Sequence, residues 1–112
     1  MSNSKLYKGF LQTIILKLLD ENDKMYGYEI TQKVKTTTKG ELNITEGALY
    51  PALHKLETEG LLSVEVVKVG KRNRKYYKLT ETGTKETVHK LDEIQDFLTT
   101  IQFLVKPKLS TN

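Results

Sequence analysis

The sequence contains no cysteine, which excludes disulfides and thiolate metal sites. It has no run of about 18 apolar residues, so no membrane-spanning helix is expected. The opening stretch "MSNSKLYKGF" has no apolar core ending in small residues, so no signal peptide is expected and a cytoplasmic protein is the simplest reading. Glycines are few and nowhere form a phosphate-cradling loop. The two histidines, His54 and His89, fall in different predicted elements, and no acid–histidine metal motif of the HExxH kind occurs. Carboxylates scatter over what read as solvated helix faces. No catalytic residue, metal site or cofactor is therefore assigned, and an enzyme is not expected.

What is present is an uneven charge. A chain of 112 residues, 38% hydrophobic and 29% charged, fits one soluble domain with at most a short extension. Its formal charge of +4 is concentrated in residues 68–78, "KVGKRNRKYYK", which hold 6 of the 18 basic residues and no acid. The remaining 12 bases face all 14 acids, so the rest of the chain is net −2. Both arginines, Arg72 and Arg74, lie in this segment. Clustering of this kind points to an anionic partner.

Periodicity supplies the elements. Apolar residues from Leu6 to Leu19 form a stripe wider than one face, predicting a helix covered on several sides. "DENDK" reads as a polar turn. A second helix is expected from Tyr26 or Gly27 through "YEITQKVKT", with Ile30 and Val34 inward, and "TTTKGELN" as a loop. In "ITEGALYPALHKLETEGLL", residues 44–62, Leu49, Leu53 and Leu56 recur on one helical face. Thr45 suits the N-cap, Ile44 and Leu49 a hydrophobic staple, and Gly60 the C-terminal cap. Two strands follow. "LLSVEVV" places Leu62, Val64 and Val66 on one side, "RKYYKL" places Tyr77 and Leu79 on one side, and Gly70 to Asn73 form the turn. Thr80 then caps a long helix that Pro107 ends.

The expected fold is mainly α with a β-hairpin wing, a winged helix-turn-helix over residues 1–80. A C-terminal dimerisation helix over 81–106 and a flexible tail over 107–112 complete the chain. "GALYPALHKLETEGLL" followed by "GKRNRKYYKLTETG", with "YGYEI" at residues 26–30, closely resembles the PadR family of bacterial transcriptional regulators. Those motifs span about residues 10–83, and the length resembles its short subgroup with one C-terminal helix. The resemblance implies a DNA-binding homodimer, commonly a repressor, in some members responsive to phenolic acids or hydrophobic drugs. Two departures stand out. Ala48 occupies the place of the family's usual threonine, and the chain lacks tryptophan, so stacking of flat drugs on a central tryptophan is not carried over.

On this reading double-stranded DNA meets two elements. The third helix presents Thr45, Glu46, Gly47, Tyr50, Pro51 and His54, with Lys55 at its edge for a phosphate. Glu46 either accepts from cytosine or favours the helix dipole. The wing offers Lys71, Arg72, Arg74, Lys75 and Lys78, the arginines for a narrow minor groove and the lysines for phosphates. Pro51 either bends a helix that begins after Thr45 or occupies the first turn of one beginning near Tyr50, and the Ile44–Leu49 staple favours the former.

Leu91, Ile94, Leu98, Ile101 and Val105 make a heptad seam, widened by Phe97 and Leu104. With Leu6, Tyr7, Phe10 and Ile14 of the first helix they are candidate dimer contacts. Tyr7, Phe10, Leu11, Ile14, Phe97, Leu98 and Ile101 are candidate linings for a small hydrophobic or phenolic effector, and each serves equally as plain dimer core. The rival function is a winged-helix module for protein contacts, which would not need a basic surplus confined to the wing.

Overall fold

The apolar stripe of the first segment becomes a 3₁₀ turn, Lys8–Phe10, continued by helix α1, Leu11–Glu21. The computed structural model describes residues 7–106, so Leu6, Pro107 and the 107–112 tail lie outside the described residues. A two-residue strand β1, Met25–Tyr26, leads into helix α2, Gly27–Thr37. Helix α3 spans Glu46–Thr58, strands β2 and β3 span Leu62–Val69 and Arg72–Leu79, and helix α4 runs 25 residues, Glu81–Val105. The sheet order is β1-β3-β2, antiparallel throughout.

The core is where the helical periodicities meet. Ile15 and Leu16 of α1, Ile30 of α2, and Leu49, Leu53 and Leu56 of α3 are wholly buried, and Leu62 and Tyr77 close the cluster from the sheet. Burial of each such side chain contributes about 1.5–3 kcal/mol. Val66 shares the face of Leu62 and Val64 but is 56% exposed, because the hairpin there has passed beyond the helices.

Local chemistry sets the helix ends. The Thr45 hydroxyl accepts from the Ala48 N–H at 3.2 Å, fixing the start of α3 at Glu46. Pro51 is therefore the sixth residue of the helix, and a start near Tyr50 is not what forms. At the other end Gly60 adopts a φ of +80°, and the N–H groups of Gly60 and Leu61 donate to the Glu57 and Leu56 carbonyls at 2.9 and 3.0 Å. This is the paired closure that a left-handed residue permits. Helix α2 closes in the same way, with Lys39 in the left-handed region and Gly40 N–H donating to the Lys35 carbonyl at 2.7 Å. Thr36 and Thr37 belong to α2, so the loop after it is shorter than the β-branched run suggested.

Two further corrections concern the sheet. The hairpin turn is Gly70–Lys71 alone, since Val69 pairs with Arg72 and Asn73 already faces Lys68. Gly70 has a φ of +63°, a positive value at the first central position that tight antiparallel hairpins favour. Strand β1, absent from the sequence reading, pairs Met25 with Tyr77 and Tyr26 with Tyr76. It is too short to show alternation.

Helix α4 is tied to the end of α3. The Thr80 hydroxyl donates to the Gly60 carbonyl at 2.7 Å and accepts from the Gly83 N–H at 2.9 Å, and the Thr80 N–H donates to the Leu61 carbonyl at 3.0 Å. Further along, α4 lies on the N-terminal segment, where the Phe10 and Phe97 rings stand 6.3 Å apart. Beyond that contact Phe103 and Leu104 are 77% and 75% exposed, and Leu98 and Val105 are exposed too. At about 1.5 Å per residue the helix is roughly 37 Å long, in a molecule measuring 65 × 31 × 20 Å. Among the described residues no helix is long and apolar enough to cross a membrane.

Candidate nucleic-acid interface

Helix α3 turns Leu49, Leu53 and Leu56 inward and leaves Glu46, Gly47, Tyr50, Pro51, His54, Lys55 and Thr58 exposed. Thr45, at the cap, is exposed as well. Ala48 is half-buried and borders a hollow of about 610 Å³ with Tyr7, Lys8, Leu11, Gly47 and Pro51. The methyl thus sits toward the protein's own N-terminal segment.

Tyr50 is held from behind. Its ring lies on the first residue of α2: a Cβ built on Gly27 would stand 2.8 Å from Tyr50 Cζ, and closer still to the hydroxyl. The motifs "YGYEI" and "ALYP" therefore meet, the glycine of one making room for the tyrosine of the other. Tyr50 is 44% exposed, so one side of the ring remains available.

The wing rises beside it. Strand β1 pairs with β3 only at Tyr76 and Tyr77, which leaves the outer edge of β3 from Arg72 to Lys75 open. Tyr26, Gly27, Tyr50, Arg72, Asn73, Arg74 and Lys75 border a single cleft of about 510 Å³ between α3 and the hairpin. Three of the five wing cations read from the sequence thus converge with Tyr50. Lys71 is exposed at the turn. Lys78 is not brought to this place. It is half-buried at the base of β3 and borders a different hollow with Asp20, Glu21 and Asp23, because the hairpin places its base beside the end of α1.

On the outer face of the sheet a ladder of rings and cations joins three elements. Arg74 Cζ lies 4.0 Å from the Tyr26 ring centroid, and Tyr26 meets Tyr76 edge to face at 5.4 Å. Lys24 Nζ lies 5.1 Å from the Tyr76 centroid and donates to Glu65 on β2 at 3.0 Å. The neighbouring Tyr76 side chain, aided by Tyr26 and Glu29, holds the Arg74 guanidinium protonated above its ordinary range. The hydrogen bond to Glu65 does the same for the Lys24 ammonium. On the opposite face, burial raises the Tyr77 phenol above its ordinary value, with Glu57 and Tyr50 adding to the effect. Strand alternation put Arg74 and Tyr76 on one face, but Lys24 and Tyr26 were missed, since only β1 pairing brings them there.

The candidate dimer and effector-pocket residues divide. Tyr7 and Leu11 are buried within their own domain, the Tyr7 hydroxyl donating to the Asn43 carbonyl at 2.9 Å. Phe10, Ile14, Leu91, Ile94 and Ile101 are half-buried. Phe97, Leu98, Leu104 and Val105 are exposed, as is Phe103, which the heptad reading passed over.

Known proteins share this arrangement. Residues 15–89 match the model of the transcriptional regulator PadR-like family. A transcriptional regulator from Clostridium thermocellum superposes with a TM-score of 0.84 at 32% identity, over 91% of this chain and 99% of that one. Bacillus subtilis PadR, in a structure with operator DNA, gives 0.67 at 31% identity over 73% of this chain. This chain accounts for 46% of that protein, so it spans about half its length. A Lysinibacillus sphaericus protein is 37% identical over 86 residues, 74% of this chain and 76% of its own. With a match covering most of the chain and a winged fold, the protein belongs to the PadR-like family of transcriptional regulators, which are not enzymes.

Proposed function

We propose that the protein is an operator-binding repressor that works as a homodimer, reading a major groove through α3 and an adjacent minor groove through the wing. The observation that carries this is the shared cleft: Tyr50 of α3 and Arg72, Arg74 and Lys75 of β3 border one concavity. A helix and a cationic hairpin so placed can straddle a phosphate backbone. Thr45, Glu46, Gly47, Pro51 and His54 extend the surface along the helix, and Lys55 and Lys71 flank it with charge. No bidentate arginine-to-guanine reader stands on α3, so groove shape and width carry a share of the specificity.

Dimerisation is supported by the uncovered end of α4, where Phe97, Leu98, Phe103, Leu104 and Val105 leave apolar surface in water. A two-fold partner covers such a seam and doubles the number of half-sites read. Repression follows most simply, since occlusion of a promoter needs no contact with polymerase. Release by a small hydrophobic or phenolic effector belongs to the same proposal, with the Phe10–Phe97 contact between the N-terminal segment and α4 as its locus.

Titration onto fluorescent genomic duplexes, including the DNA upstream of its own gene, at about 50 and 200 mM salt tests the reading. Multiple phosphate contacts predict a loss of several tenfold steps between those concentrations. A fragment held tightly at the higher salt marks an operator. Failure to bind any duplex at low salt would overturn the proposal and favour a winged-helix module for protein contacts.

A further inference from the structure

The two arginines of the wing stand in different surroundings. Arg72 is exposed at the first position after the turn, opposite Val69. Arg74, two residues further along β3, is half-buried, its guanidinium stacked 4.0 Å from the Tyr26 centroid. Tyr26 is also the residue from which α2 starts, its N–H donating to Glu29 Oε1 at 3.0 Å. The next residue, Gly27, is the floor on which Tyr50 rests. Arg74 thus joins the wing to the same two-residue junction that supports the exposed tyrosine of α3.

We infer that Arg74 is a positioning residue, which sets the wing against α2 and α3 through Tyr26, and that Arg72 alone is the arginine that enters the minor groove. The inference rests on the operator-binding reading above and divides its labour. A guanidinium leaving the stack for DNA would give up its cation–π contact. It would also leave the outer part of the hairpin held to the start of α2 by the Tyr26–Tyr76 strand pairing alone, at the moment their spacing must match two grooves. Arg72 bears no such tie among the described contacts and sits nearer the tip. Planarity suits arginine to position 74: a flat guanidinium can lie face to face on the Tyr26 ring, as an ammonium cannot.

A double-mutant cycle on operator affinity separates the roles, using the genomic duplex that the wild-type protein holds most tightly. If Arg74 acts through Tyr26, Arg74→Ala and Tyr26→Leu each weaken binding by about tenfold, and the double variant is no weaker than either one. Arg74→Lys, which keeps the charge but not the plane, behaves as Arg74→Ala. The loss from Arg72→Ala multiplies with that from Tyr26→Leu. Multiplying losses for Arg74 and Tyr26, or full retention of affinity in Arg74→Lys, would show Arg74 touching DNA itself and would overturn the inference. Should Tyr26→Leu fail to fold, the wild-type protein still decides. The Arg74 Nε–H proton, shifted by the Tyr26 ring current, keeps its shift in the DNA complex if the residue stays stacked and loses it if the residue moves to the groove. Absence of any duplex binding by the wild type would sink the operator reading together with the inference, whereas binding with a multiplicative cycle would sink the inference alone.

Discussion

Tyr50 of the exposed helix rests on Gly27, the first residue of the preceding helix, with no room between them for a side chain. The contact involves the far end of a long side chain, which can swing away. Gly27→Ala is accordingly expected to cost only about 1 kcal/mol of stability, yet to displace Tyr50 from the cleft it shares with the wing. Denaturant unfolding should record the small loss, and duplex titration a larger one in affinity. In a Tyr50→Ala background, adding Gly27→Ala should leave stability unchanged.

Gly83 meets a different obstacle. A Cβ there would run into the Leu61 carbonyl, 2.9 Å from its carbon and nearer to its oxygen. Backbone cannot swing aside, and this backbone also accepts from the Thr80 N–H. Gly83→Ala should therefore lower stability by about 2–3 kcal/mol, clearly more than Gly27→Ala. Thr80→Ala, which removes the N-cap and the bond to Gly60, should cost about 1–2 kcal/mol. Equilibrium unfolding of the three variants gives the ranking directly.

Pro51 stands inside α3, and its ring removes the bond that would end on the Gly47 carbonyl. Replacing it by alanine restores a donor and should stabilise the fold by about 1–3 kcal/mol. If the proline sets the angle at which Tyr50 and His54 meet a groove, the stabler Pro51→Ala protein binds its operator less tightly. Calorimetry and duplex titration on one sample test both halves.

Buried Tyr77 makes stability depend on pH at the alkaline end. Its phenol titrates above the ordinary value near 10 in the folded protein, chiefly because burial disfavours the charged form. Below the unfolded value both states are protonated and the contribution is fully present. Above it the unfolded chain loses its proton first, so stability falls as pH rises. Denaturation midpoints should decline above about pH 10, and Tyr77→Phe should flatten part of that decline.

The end of α4 predicts assembly. Phe103→Asp combined with Leu104→Asp places charge on the most exposed apolar surface of the helix, far from the buried core. Sedimentation equilibrium should show a dimer for the wild type and a monomer for the variant, with unchanged helical circular dichroism. A wild-type monomer would remove α4 as the dimer seam.

Much of the fold was legible because its signals are local. Hydroxyls at Thr45 and Thr80 satisfy N–H groups three residues on, and Gly60 tolerates a left-handed turn wherever it occurs. Leucines three and four apart form one face before any partner is known. The basic surplus of residues 68–78 is likewise a property of the chain, and it pointed to the wing without coordinates.

What tertiary structure decided was how residues distant in sequence share space. Strand β1 exists because Met25 and Tyr26 find a free edge of β3, not because two residues carry a strand pattern. That pairing put Tyr26 beneath Arg74 and gave two similar arginines different surroundings. The same sheet carried Lys78 to the acidic end of α1, away from the other wing cations. It left Val66 in water despite a perfect alternation. The sequence by itself determined which segments are helices, the caps at Thr45 and Thr80, and which segment bears the charge, since hydrogen bonds and periodicity act over a few residues. Which charges face the cleft, and which are held back to shape it, depends on contacts between elements, and only the folded arrangement supplies those.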